Sequence, residues 1–130
     1  MTVWRRRMAF VLVVDDEEPV RFLLRKLLER EGHRVAVAAD GESALAAYDQ
    51  SPPDLVITDL VMPRMNGLQT IRRMTESHPN IPIIAISGGS NNAGDALLST
   101  ARECGAVETL AKPFGREALL QAVANALGVA

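Results

Sequence analysis

The chain has 130 residues, 48% of them apolar and 23% charged, with a formal net charge of −2. That length suits one domain with a core that needs no disulfide or metal staple, and the small charge gives no general pull toward nucleic acid or anionic membrane. The single cysteine, Cys104, cannot close an internal disulfide, which points to a reducing compartment and to a small buried residue near a helix end.

Arg5, Arg6 and Arg7 lead into an apolar run at 9–14, an order similar to the start of a secretory leader. The run is too short for one, and it meets Asp15-Asp16-Glu17-Glu18 where small residues should stand. It therefore reads as a buried strand following a tail over residues 1–8. Pro19 suits the first turn of a helix, where its missing N–H is not needed. Val20, Leu24, Leu27 and Leu28 form one apolar stripe, which Gly32 ends. Residues 34–38 predict a second strand, and 42–50 a short alanine-rich helix stopped by Pro52-Pro53.

Residues 55–58 predict a third strand, closed by Asp59. A loop over 60–67 carries Pro63 and Gly67, after which Leu68, Ile71 and Met74 mark a helix. The fourth strand is expected over 82–86, a glycine-rich loop over 87–94 and a helix over 96–104 that Gly105 closes. A fifth strand follows at 107–110, and Leu119, Val123 and Leu127 mark the last helix. Nothing approaches the roughly 20 apolar residues of a membrane span. This alternation predicts a parallel sheet with helices on both faces and right-handed crossovers. Five units in this length fit a flavodoxin-like doubly wound (βα)5 α/β fold over residues 9–128, with strand order 2-1-3-4-5.

Ligands of such sheets bind at the C-terminal strand ends, where strands 1 and 3 diverge. Asp15 and Asp16 end strand 1, Asp59 ends strand 3, Ser87 ends strand 4 and Lys112 follows strand 5. Three close carboxylates repel one another unless a cation compensates. Mg²⁺ takes one or two protein carboxylates, keeps waters and leaves room for phosphate oxygens. A carboxylate can accept a phosphoryl group, and an ammonium and a hydroxyl can align it.

Plainer readings stand beside this one. Glu17 and Glu18 read as acids favoured at the positive end of a helix. Asp59 and Ser87 are also common turn residues, and Lys112 could be an ordinary surface lysine. His33 and His78 read as exposed loop residues outside the rim. No zinc spacing, Walker A loop or GxGxxG follows a strand, and few aromatics are available for base stacking.

VLVVDDE (11–17), VITDLVMPRMNG (56–67), IIAISGG (83–89) and LAKPF (110–114), in this order, resemble the receiver domains of two-component response regulators. The resemblance covers nearly the whole chain. It implies a cytoplasmic, free-standing switch module rather than an enzyme acting on other substrates, catalysing only its own phosphorylation and dephosphorylation. Asp59 would be the phosphoacceptor, served by a histidine kinase or histidine phosphotransfer protein. Asp16, Asp59 and the Val61 carbonyl would bind Mg²⁺ directly, with Asp15 acting through water. Ser87 and Lys112 would hold the phosphoryl group, and the Lys112–Pro113 bond would be cis.

Ser87 and the position of Thr109 would form the switch, although the family often carries an aromatic where Thr109 stands. The resemblance also implies a downstream protein target, no direct nucleic-acid or membrane contact, and a monomer or phosphorylation-dependent dimer. Val61 and Gly89 occupy positions that tune the lifetime of the acyl phosphate. Two other functions fit these residues less well. A haloacid-dehalogenase-like phosphohydrolase would need a D-x-D pattern where Asp15-Asp16 is adjacent, and a passive receiver-like module usually loses one of the five site residues.

Overall fold

Valine- and isoleucine-rich runs pair as five parallel strands in a computed structural model that describes residues 8–62, 67–88 and 92–128. The strands are β1 (Phe10–Val14), β2 (Arg34–Ala38), β3 (Leu55–Asp59), β4 (Ile83–Ser87) and β5 (Glu108–Ala111), in the spatial order β2-β1-β3-β4-β5. The helices are α1 (Glu18–Arg30), α2 (Gly41–Gln50), α3 (Gly67–Ser77), α4 (Asn92–Cys104) and α5 (Arg116–Leu127). This is the flavodoxin-like arrangement that the alternation predicted. The Arg5–Arg7 tail, Pro63 and Gly89 lie outside the described residues.

Successive residues of the central strands face opposite layers. Val11, Val13, Leu55, Ile57, Ile84 and Ile86 meet Leu24 and Leu28 of α1 and Leu119 and Val123 of α5. Leu12, Val14, Val56, Ile83 and Ala85 meet Ala44 and Tyr48 of α2, Ile71 and Met74 of α3, and Ala101 of α4. Strands covered on both faces need apolar residues at every position, which is why these runs are continuous rather than alternating. Each fully buried Leu or Ile contributes about 1.5–3 kcal/mol of transfer free energy.

Local signals agree with this packing. Pro19 lies in the first turn of α1, and Gly32, just past its end, takes a φ of +94° that other residues rarely adopt. Asp40 caps α2, its carboxylate accepting the Ser43 N–H at 2.8 Å. No helix among the described residues is long and apolar enough to cross a membrane.

Several sequence expectations shift. The fourth strand runs one residue further, so Ser87 is its last residue, and α4 begins at Asn92 rather than at 96. Gly94 lowers helix propensity by only about 1 kcal/mol relative to alanine, which packing of α4 on the sheet outweighs. His33 is buried rather than exposed, because its Nδ1 accepts the Ala9 N–H at 3.0 Å and satisfies a backbone donor at the start of β1. His78 is a loop residue but half-buried, its ring edge-on to Tyr48 at 5.2 Å. Cys104 is half-buried rather than buried, with the Arg72 guanidinium donating to its Sγ at 3.5 Å. Val107 precedes β5 and is 45% exposed.

Candidate functional site

Strand register brings the polar residues to one rim. Val14 pairs with Thr58, so the next residues, Asp15 and Asp59, leave the sheet at the same level. Asp59 pairs with Ile86, and Ser87 with Ala111, which sets Ser87 and Lys112 beside them. The Lys112 N–H donates to the Ser87 carbonyl at 2.8 Å, continuing the ladder one residue beyond β5. The Lys112–Pro113 bond is cis. All five residues singled out for chemistry therefore meet.

Asp15 is almost fully buried and heavily engaged. Its Oδ1 accepts the Glu17 N–H at 2.9 Å, and its Oδ2 lies 3.3 Å from the Lys112 Nζ. Its carbonyl accepts from the Arg21 guanidinium at 2.7 Å, which ties the first turns of α1 to the rim. Asp16 is exposed. One carboxylate oxygen each from Asp15, Asp16 and Asp59 can be chosen so that all three lie within 4.8 Å of one another. Three hard oxygen donors in that span fit a divalent cation such as Mg²⁺.

Asp59 is 4% exposed, and its Oδ1 accepts the Leu60 N–H at 2.9 Å. Burial raises its pKa to about 6, and repulsion from Asp15 adds to this; Lys112 and the N–H groups of Val61 and Leu60 pull the other way. Lys112 Nζ lies 3.7 Å from Asp59 Oδ2 and 3.6 Å from Glu17 Oε1. Burial alone would lower the Lys112 pKa, but Asp59, Asp15 and Glu17 outweigh it and hold the ammonium above its ordinary value. An ammonium shared among three carboxylates is pre-positioned for an anionic group that arrives between them.

Ser87 is buried, and among the described residues its hydroxyl makes only a long contact of 3.4 Å to the Gly88 carbonyl. Such a weakly held donor is available to another acceptor. On the neighbouring edge, the Thr109 hydroxyl accepts from the Arg102 guanidinium at 3.1 Å, which links β5 to α4.

Three residues at this rim escaped the sequence reading. Arg21 gave no local signal, being one of several polar residues on an amphipathic helix. Gly67 marked only the end of a loop, yet its N–H donates to the Leu60 carbonyl at 3.0 Å. A Cβ there would lie 2.5 Å from the Asp59 carbonyl oxygen and from the Leu60 Cα, so only glycine lets α3 start against the Asp59 backbone. Glu17 read as a helix-terminus acid, whereas its side chain reaches Lys112.

A model of the response regulator receiver domain matches residues 11–124. A protein-glutamate methylesterase/protein-glutamine glutaminase from Geobacter metallireducens is 42% identical over 110 residues, covering 83% of this chain and 31% of that protein. The transcriptional regulatory protein CpxR of Klebsiella pneumoniae is 39% identical over 110 residues, covering 85% of this chain and 45% of its own. The chain thus spans 31% and 45% of these two relatives' length. The crystal structure of the receiver domain of NtrX from Brucella abortus superposes with a TM-score of 0.85 at 34% identity, covering 92% of this chain and 99% of that one.

Proposed function

The chain belongs to the response regulator receiver domain family, and from that premise we propose that residues 9–128 form a phosphoacceptor switch whose reacting group is Asp59. The observation that carries this reading is the buried Asp59 carboxylate, set 3.7 Å from the Lys112 ammonium within an acid cluster open to a cation. The donor is a histidine kinase or a histidine phosphotransfer protein, and the output is a phosphorylation-dependent contact with a protein target. The module acts in the cytoplasm, as a monomer or as a dimer formed on phosphorylation.

Asp16, Asp59 and the Val61 carbonyl would hold Mg²⁺, with Asp15 acting through water, and the ion would supply positive charge against the acids and the incoming phosphoryl oxygens. The remaining work falls to the chain. An ionised Asp59 oxygen forms a bond to phosphorus while the bond from phosphorus to the donor imidazole nitrogen breaks. The electron pair of that broken bond stays on the donor nitrogen, and Asp59 becomes an acyl phosphate. Lys112 then exchanges Asp59 for a phosphoryl oxygen, and Ser87 turns its hydroxyl from Gly88 toward another. The movement of Ser87 reaches the α4–β5 edge, where Thr109 replaces the aromatic frequent in the family.

Intact mass after incubation with acetyl phosphate and Mg²⁺ tests the assignment. Wild type is expected to gain one phosphoryl group, and Asp59→Asn none. An adduct of equal size on both proteins overturns Asp59 as acceptor. Wild type that takes neither the adduct nor beryllofluoride, a stable phosphoryl mimic, overturns the phosphoacceptor reading.

A further inference from the structure

Glu17 occupies the N-cap of α1, yet its side chain makes no capping hydrogen bond. Short polar residues such as Ser, Thr, Asp and Asn serve that position, and a glutamate there forgoes the stability a cap provides. The helix start manages without it, because Pro19 has no N–H to satisfy and the Val20 N–H donates to the Glu17 carbonyl at 3.1 Å, while the Asp15 carboxylate accepts the Glu17 N–H. The Glu17 side chain reaches instead across the rim to Lys112 at 3.6 Å. A residue that breaks a local rule beside a reactive group commonly does so for the site.

The three carboxylates around Lys112 are not equivalent. Asp15 and Asp59 are buried and belong to the acid cluster that fits a cation, whereas the Glu17 side chain is 62% exposed and stands outside that cluster. A cation in the cluster weakens the hold of Asp15 and Asp59 on the ammonium through its own positive charge. Glu17 then remains as a competitor for Lys112 on the solvent side, where a phosphoryl group must approach.

We propose that Glu17 is a positioning residue that restrains Lys112 on the outer rim, so that its carboxylate competes with the incoming phosphoryl group and lowers the rate and affinity with which the site takes it. The inference rests on the phosphoacceptor reading. Its size is bounded by the weakness of exposed ion pairs, which limits the effect to about two- to five-fold.

The test compares wild type, Glu17→Gln and Glu17→Asp, with Mg²⁺ affinity measured separately by calorimetry. Glu17→Gln is expected to gain the mass adduct about three-fold faster and to bind beryllofluoride about three-fold more tightly, with Mg²⁺ bound no more tightly than by wild type. Glu17→Asp keeps the charge with a shorter reach and should fall between. The gain should be equal for acetyl phosphate and for the less charged phosphoramidate, because competition for Lys112 does not depend on the donor. A misfolded variant cannot produce a gain. Unchanged or slower labelling of Glu17→Gln overturns the inference while leaving the labelled wild type, and hence the phosphoacceptor reading, intact. A gain confined to acetyl phosphate overturns it in favour of direct repulsion, and a matching gain in Mg²⁺ affinity overturns it in favour of an effect on the metal.

Discussion

The two ends of β3 are equally buried and contribute to stability with opposite sign. Leu55, Val56 and Ile57 are fully buried among apolar neighbours, and Asp59, two residues on, is 4% exposed beside a second buried acid. The first three release water from apolar surface, which stabilises. The last loses hydration that Lys112 and two backbone N–H groups only partly replace, which is why its pKa rises to about 6. Burial by itself therefore says nothing about stabilisation. The same strand builds the scaffold with one end and holds a poorly compensated carboxylate with the other.

The sharpest way to break this contrast is at its apolar end. Ile57→Ala should destabilise by about 3–4 kcal/mol in urea unfolding, as cavity-forming core substitutions do. A loss below 1 kcal/mol would mean that β3 does not anchor the α1/α5 layer.

At the polar end the sign should reverse. Asp59→Asn keeps an acceptor for the Leu60 N–H and removes the repelled charge. It should raise stability by about 2–3 kcal/mol at pH 7.5 without Mg²⁺, since burial and Asp15 raise the Asp59 pKa to about 6, above the ordinary carboxylate range. Because the folded pKa lies above the unfolded one, the folded state binds the proton more tightly. Wild-type stability should accordingly be highest near pH 4 as far as this group is concerned, fall as pH rises to about 6, and level off above. The advantage of Asp59→Asn over wild type should vanish toward pH 4. A destabilised Asn variant at pH 7.5 would show that the carboxylate is well compensated without a cation.

Mg²⁺ sharpens the comparison at smaller scale. At ten times its dissociation constant it should stabilise wild type by about 1.4 kcal/mol, and Asp59→Asn by less. Equal thermal shifts in the two proteins would remove Asp59 from the cation site. The smallest effect is expected at an ion pair that takes no part in the acid cluster, in which Arg116 reaches Glu31 at 3.0 Å between α5 and the end of α1. Arg116 is half-exposed, so Arg116→Gln should change stability by under about 1 kcal/mol and leave phosphorylation unaltered.

The strands were legible because double-sided burial leaves a local trace, an unbroken run of apolar residues ending in a charged or hydroxyl residue. Asp15, Asp59 and Ser87 were legible for the same reason: each terminates such a run, and a parallel sheet aligns those ends; Lys112 follows the short, partly buried β5 and was placed by the alternation of elements. His33 was misread because its acceptor role depends on Ala9, 24 residues away. The start of α4 was misread because glycine and asparagine signal a loop locally, while packing decides otherwise.

The sequence by itself determined the order of elements, the two-layer core and the rim on which the acids, the hydroxyl and the lysine collect, since period and strand ends are properties of neighbouring residues. Only the tertiary structure decided how those charges are shared. That Lys112 divides itself among Asp15, Asp59 and Glu17, that Gly67 must lack a side chain, and that Asp59 holds its proton up to about pH 6 all depend on distances of a few ångströms between segments remote in the chain. Electrostatic energies vary steeply over such distances, and no local pattern of residue types encodes them.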